Sequence, residues 1–354
     1  MNRVFLLGNG FDLAHGLKTS YNDFIIYFVR NYFGTLIEQL KKRETLNLYS
    51  DEFFEIQSGV INYELFDPNV NRPEDEYIKF VLASRITIKV DFLGEILSHY
   101  KQIISNQETG INWFDVEQVY YRHLHDYAKH NNHYQTLLLN TFFNFLIKKL
   151  KLYIEIVLNE SNQNRSKQYV SLFNHGIPNP GLSVHPFMGK KLIINFNYTN
   201  TFLSRYQTTL GNNDLIIPIH GTYNSDIIFG YGDEMGEEYK LIENLNDNEF
   251  LKYFKSFFYF ANNNYSRLKQ FLDTQNFEVY IVGHSCGLSD RLLLNYIFEH
   301  KNCETIRILH YEHANTNNYT DLTMNISRHF RDKQKMRDRI IPFDENFKMP
   351  QVNG

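Results

Sequence analysis

The chain has 354 residues, 36 Lys and Arg against 40 Asp and Glu, a formal charge of −4 and 16% aromatic residues. That length supplies one large domain or two with a sizeable core, and the slightly acidic balance offers no global basic field for nucleic acid. Two cysteines, Cys286 and Cys303, exclude a disulfide framework, no secretory leader pattern opens the chain, and no run reaches the roughly 20 apolar residues of a membrane span, so the expected class is a soluble, cytoplasmic, mixed α/β protein.

Arg3-Val-Phe-Leu-Leu-Gly8 is the short apolar run of a buried parallel strand. It leads into Gly8-Asn9-Gly10-Phe11-Asp12-Leu13-Ala14-His15-Gly16. A strand running into Gly-x-Gly and then a helix gathers backbone N–H groups able to take a phosphate or another anion. The spacing departs from the dinucleotide fingerprint, because Leu13 stands at the third glycine position and the next glycine is Gly16. Structural glycines in tight turns are the alternative reading.

Ser20 to about Glu44 reads as a helix capped by Ser20 with Asp23 three positions on, its apolar stripe being Phe24, Ile25, Phe28, Val29 and Tyr32. Leu46 to Pro73 is irregular and carries turn signals. Helical periodicity returns over Glu76–Ile104, and Asn112-Trp113-Phe114-Asp115-Val116-Glu117 opens a further helix towards Ala128. A long amphipathic helix spans about His133–Leu158, with Lys148, Lys149 and Lys151 on a solvated face. Residues 159–190 are polar and turn-rich and are expected to form a long loop or flap.

From Lys191 strands and helices alternate. Strands are predicted at Leu192–Phe196, Leu215–Ile219, Ile227–Gly230 (short), Glu278–Gly283 and Thr305–His310. Helices are predicted at Thr199–Thr209, Asp247–Leu272 and Ser289–His300. Pro218 is an awkward residue inside its strand. This alternation predicts a parallel sheet covered on both faces. A helical block separates the first strand from the others, so the expected division is an α/β domain from 1–35 and 190–335, a helical insertion with its long loop at 36–189, and a C-terminal tail at 336–354.

Ligands of open α/β sheets bind beyond the carboxyl ends of the strands. Those positions hold Gly8, Asn9, Gly10 and Asp12; Asn195, Asn197, Tyr198, Thr199 and Asn200; His220 and Gly221; and Gly283, His284, Ser285, Gly287, Ser289 and Asp290. Each has a bland reading: Asn197, Asn200 and Asp290 as helix caps, His220 as a satisfied core histidine, Asp12 as a helix N-terminal charge. Their joint occurrence on one rim marks a candidate site. A competing pattern is Gly283-His284-Ser285-Cys286-Gly287, a Gly-x-Ser-x-Gly between strand and helix, for which Ser285, Asp321 and His329 can be written as a triad. Asp115 and Glu117 lie only two apart at a helix start and need not converge on a metal.

The stretch Leu7–Phe24 resembles the signature of the AbiH family of bacterial abortive-infection proteins. So do Asn112–Glu117, Asn195–Asn200, Ile219-His220-Gly221 and Gly283-His284-Ser285, in the family's order. AbiH proteins are in turn distantly similar to sirtuin-like NAD-binding domains. The resemblance implies a parallel Rossmann-like, sirtuin-like sheet and NAD or a related nucleotide as ligand. Gly8, Asn9, Gly10, Asp12, Gly16, Gly283, Ser285 and Asp290 would then be binding residues, with Asn197 and His220 catalytic. Two positions depart from the sirtuin-like pattern: Asp12 where serine is usual and Thr199 where aspartate is usual. Two cysteines cannot build a four-cysteine zinc module, which argues against a protein deacylase, and no metal is expected. The implied mechanism rests the pyrophosphate on the N–H groups around Gly8–Gly10. Asn197 orients a water or the ribose, His220 accepts the proton, and Ser285 and Asp290 hold the adenosine ribose. Three readings follow: a phage-defence protein that binds and hydrolyses NAD, a non-enzymatic nucleotide sensor whose insertion recruits a partner, and a serine hydrolase using Ser285. A phage-derived trigger and further copies of the chain are the partners left open; membrane and nucleic acid are not indicated.

Overall fold

Val4, Phe5, Leu6 and Leu7 expose nothing to solvent, which requires strand neighbours on both sides and layers on both faces. The computed structural model describes residues 1–42, 48–57, 72–83, 86–105, 116–161, 164–177, 189–234, 236–313 and 316–352. In it this run forms β1 (Asn2–Leu7), the centre of a parallel sheet completed by β2 (Lys191–Asn195), β3 (Leu215–Pro218), β4 (Phe277–Val282) and β5 (Cys303–Leu309). The order across the sheet is β3-β2-β1-β4-β5. Leu7 lies level with Asn195 and Val282, Asn195 with Pro218, and Val282 with Leu309, so the five carboxyl ends form one rim. The chain builds outward from β1 to β3 and then returns to its other side, which makes the β1/β4 crevice the topological switch point. Pro218 is accommodated because it ends an edge strand.

Alternation along the strands builds two cores. Val4, Leu6, Ile194, Val279, Ile281 and Ile308 face one way, under Leu268, Leu272, Leu294, Ile297 and Ile326 of the helices Asn264–Thr274, Arg291–Phe298 and Tyr319–Ser327. Phe5, Leu7, Ile193, Tyr280 and Val282 face the other way, onto Phe11, Tyr169, Phe173, Phe202 and Tyr206 of the helices Asn9–Ala14, Lys167–His175 and Thr201–Tyr206. The expectation of a parallel α/β sheet covered on both faces is met.

The chain divides into two compact units: Met1–Thr19 with Ile154–Lys240 and Tyr253–Gly354, and Ser20–Tyr153 with Leu241–Lys252. In the second, helix Tyr21–Lys41 opens on the expected capping box, Asp23 N–H donating to Ser20 Oγ at 3.1 Å and Ser20 N–H to the Asp23 carboxylate at 3.3 Å. Among the described residues no helix is long and apolar enough to cross a membrane.

Several predicted elements differ. The helical stretch Glu76–Ile104 is two helices, Glu74–Ala83 and Asp91–Ile104. Between them the β-branched Ile86-Thr87-Ile88 forms a strand in an antiparallel sheet with Phe54–Gln57 and Leu48–Ser50. The expected loop 159–190 contains helix Lys167–His175, because Tyr169, Leu172 and Phe173 sit at helical spacing and bury on the sheet; residues 178–188 lie outside the described residues. Ile227–Gly230 is no strand: Ile228 and Phe229 are buried, but the pairing there is a single bridge from Tyr231 to Phe254. The stretch Asp247–Leu272 breaks at its asparagine run into helix Lys255–Phe258 and helix Asn264–Thr274. Asn112–Asp115 lie outside the described residues, and the helix that follows starts at Val116.

Candidate functional site

The loops after β1 and β4 touch backbone to backbone. Gly8 N–H donates to Val282 O at 3.1 Å and Gly10 N–H to Gly283 O at 2.8 Å. A Cβ on Gly8 would overlap the Cα of His284, and one on Gly10 would lie 2.8 Å from the Cα of Gly283. Gly283 itself has φ +70°, where only glycine is unstrained, and a Cβ there would overlap the Phe11 nitrogen. The Gly-x-Gly is therefore what lets the two loops meet at the switch point. Its Gly8 and Gly10 N–H groups, read from the sequence as an anion cradle, are occupied by these carbonyls. Asn9 Oδ1 takes the Thr19 hydroxyl at 2.6 Å. Gly16, φ +76°, ends the short helix Asn9–Ala14.

Asn197, buried, donates from Nδ2 to Gly8 O at 3.0 Å and so ties the β2 loop to the β1 loop. Asn195 braces that loop from beneath, accepting from Asn197 N–H at 3.2 Å and donating to Thr199 O at 3.0 Å. Asn200 occupies the N-cap position of helix Thr201–Tyr206 without a side-chain cap bond.

Asp12 points into the same layer. Its Oδ2 accepts the Thr199 hydroxyl at 2.7 Å, while its Oδ1 is buried without a hydrogen-bond partner. Burial raises its pKa to about 6, against the opposing effect of the Thr199 and Thr201 hydroxyls. His15 is locked beside it, Nδ1 on Phe11 O at 2.6 Å and Nε2 on the Tyr206 hydroxyl at 2.7 Å. Burial lowers its pKa to about 4, so it is neutral, with Nδ1–H donating and Nε2 accepting.

The strongest electrostatic feature follows β3 and β4. His220 Nε2 lies 3.1 Å from Asp290 Oδ1, and Lys255 Nζ reaches the same oxygen at 2.8 Å. His284 Nε2 stands 3.5 Å from Asp290 Oδ2, and the Tyr259 hydroxyl is 3.4 Å from His220 Nε2. Phe196 presents its ring between the two histidines, with centroids 5.3 Å from His220 and 4.1 Å from His284. All four ionisable groups are buried. Burial works against the Asp290 charge, but the Lys255 ammonium and His220 outweigh it and hold the carboxyl well below its ordinary range. His220 and Asp290 were legible as rim residues. Lys255 was not: its one sequence signal is a cation within the aromatic run Tyr253-Phe254-Lys255-Ser256-Phe257-Phe258.

Ser285 is exposed, and its carbonyl accepts from Asn325 Nδ2 at 2.9 Å. No triad forms around it. His329 Nε2 is held by Cys286 O at 2.8 Å, its buried Nδ1 has no hydrogen-bond partner, and Asp321 is exposed. Glu117 is buried on its helix and Asp115 lies outside the described residues. Among the described residues no group of three or more His, Cys, Asp or Glu side chains is placed to hold a metal ion.

A five-stranded parallel sheet covered by helices on both faces, with polar loops gathered around a topological switch point, places the protein in the class of open α/β folds. Within it the chain belongs to the AbiH family: the family model described as bacteriophage abortive infection AbiH matches residues 4–311, from β1 through the end of β5. No curated protein and no solved structure matches the chain.

Proposed function

We propose that this AbiH protein acts in abortive infection by binding NAD, or a related nucleotide, on the carboxyl rim of its sheet and hydrolysing the nicotinamide–ribose bond. The observation that carries the reading is the His220–Asp290 contact of 3.1 Å on the rim where Asn197 meets Gly8. The resemblance of the Gly8–Gly16, Asn195–Thr199 and His220-Gly221 blocks to sirtuin-like sequences adds the ligand class.

In this mechanism the C1′–N bond breaks with its electron pair passing to the nicotinamide ring nitrogen, which neutralises the pyridinium. Water oxygen bonds C1′ as the oxocarbenium-like state collapses. Its proton goes to His220 and then to solvent, leaving nicotinamide and ADP-ribose. Asn197 orients the water or the ribose. Asp290, read from the sequence as a ribose holder, directs its carboxylate to His220, His284 and Lys255 instead, so in this mechanism it fixes His220. With the Gly8 and Gly10 N–H groups taken, the Asn9 carboxamide is the polar side chain that loop brings to the pyrophosphate.

A second reading, a nucleotide sensor without turnover, draws on one observation: His220 is only 3% exposed, as in a site kept closed until triggered. The deciding experiment is NAD consumption by purified wild type, Asn197→Ala and His220→Ala, followed by mass spectrometry. Nicotinamide and ADP-ribose from wild type alone establish the hydrolase. Binding without turnover points to the sensor or to an effector awaiting its phage trigger, and neither binding nor turnover removes NAD as the ligand.

A further inference from the structure

We infer that residues 340–352 form an autoinhibitory strap, tied to the edge of the sheet and to the helix Asn9–Ala14, that holds the rim closed until it is released. β5 is the edge strand on that side of the sheet. The strap runs beside it in parallel and meets it in two isolated bridges, Ile306 with Ile340 and His310 with Lys348. Ile341 N–H donates to Ile306 O at 3.0 Å, His310 N–H to Phe347 O at 2.9 Å, and Met349 N–H to His310 O at 2.8 Å. Val352 N–H then donates to Ala14 O at 2.8 Å, on the helix that follows β1, two strands in from the edge. Blunting an edge strand is the ordinary reason for a chain to lie beside it, and it accounts for residues 340–349. It does not account for Val352, which serves the helix and not the edge.

The strap is anchored by few side chains. Phe347 and Met349 are buried, while Phe343, Glu345, Asn346 and Lys348 between and before them are exposed. Met349 joins the core that contains Phe5, Phe11 and Ala14, and Val352 packs half-buried against it. Three residues span at most about 10–11 Å, so Met349 and the Val352 N–H dock or leave together. At the crossing, His310 lies buried with the Phe343 ring 4.9 Å from its own, and its Nδ1 has no hydrogen-bond partner among the described residues. An unsatisfied buried polar atom subtracts from what the two anchors contribute. The strap is therefore a local unit that can detach while the sheet stays folded.

What the strap holds in place is a rim turned inward. Helix Asn9–Ala14 starts at Gly8, whose carbonyl takes the Asn197 amide at 3.0 Å, and it carries Asp12, whose carboxylate takes the Thr199 hydroxyl at 2.7 Å. Asn197 and Asp12 are both buried by these contacts and by their surroundings. The helix has six residues, too few to hold its shape without tertiary contacts. Release of Ala14 removes the tie at its carboxyl end, loosens the helix, and frees Asn197 and Asp12 to face a ligand.

Autoinhibition of NAD turnover rests on the proposed hydrolase, but the tether itself does not. The test is hydrogen–deuterium exchange of the full chain, read in peptides covering Phe11–Leu17, β1 and β4, with NAD consumption measured on the same proteins. Val352→Pro removes the donor to Ala14 O, Val352→Ala keeps it, and Met349→Ala removes the buried anchor. Val352→Pro and Met349→Ala should exchange Phe11–Leu17 about tenfold faster than wild type, with β1 and β4 unchanged. Val352→Ala should match wild type. If Met349→Ala destabilises the whole sheet or fails to fold, Val352→Pro decides. Unchanged exchange of Phe11–Leu17 in Val352→Pro overturns the inference. Where NAD is turned over, Val352→Pro should turn it over faster than wild type. Faster exchange without NAD binding in any variant retains the strap and removes NAD as the ligand. Turnover by wild type that does not rise in Val352→Pro overturns the autoinhibition and leaves the hydrolase standing.

Discussion

Asp12 and Thr199 are hydrogen-bonded to each other, hydroxyl to carboxylate at 2.7 Å, across 187 positions of sequence. Both residues are buried, and the contact pins helix Asn9–Ala14 to the loop that follows β2.

The same pair makes stability depend on pH. Asp12 has an ordinary pKa of 3.8 and about 6 when folded. A carboxyl raised on folding contributes stability that is complete below its unfolded pKa and is lost as pH rises through the folded value. Asp12→Asn, neutral throughout, should gain on wild type by about 2–3 kcal/mol as pH rises from 4 to 7, and no further above that. Urea denaturation of both proteins across this range checks it; parallel curves would show an Asp12 carboxyl that titrates normally.

Gly283 should tolerate no side chain. Its φ of +70° costs an L-residue about 1–2 kcal/mol, and the overlap of a Cβ with Phe11 N adds about 1–3 kcal/mol of overpacking. Gly283→Ala is expected to lose stability by about that sum, read as a lower denaturation midpoint with unchanged slope. A wild-type midpoint would mean that the β1 and β4 loops do not meet as closely as described.

Ser285 should be inert as a nucleophile. The histidine of its sequence-derived triad, His329, gives Nε2 to Cys286 O, and among the described residues no hydrogen bond joins a histidine to the Ser285 hydroxyl, so the base that a serine nucleophile needs is not in place. Treatment with a serine-reactive phosphonate should leave the intact mass of the protein unchanged. A single adduct mapped to Ser285 would revive the hydrolase.

The cores and the rim were open to reading in one dimension because they follow from local periodicity. The apolar run of β1, the strands after Lys191, the Ser20–Asp23 box, and Gly8, Asn197, His220 and Asp290 all sit where strand ends must fall in a parallel sheet. Helix Lys167–His175 was hidden because polar, turn-forming neighbours outweighed three apolar residues at helical spacing, and its stability comes from packing on Phe5 and Tyr280. Strand Ile86–Ile88 was hidden because its partner Phe54–Gln57 lies some thirty residues earlier.

By itself the sequence determined the parallel α/β class, the rim and the family signature, since each is written in short-range spacing. Only the tertiary structure decided what the rim residues do to one another. It turned the Gly8 and Gly10 N–H groups onto the β4 loop, gave Asp12 to Thr199, and set Lys255 beside Asp290 and His220. Hydrogen bonds and charge pairs act over about 3 Å whatever the separation along the chain, and no local pattern encodes which distant side chains folding brings within that reach.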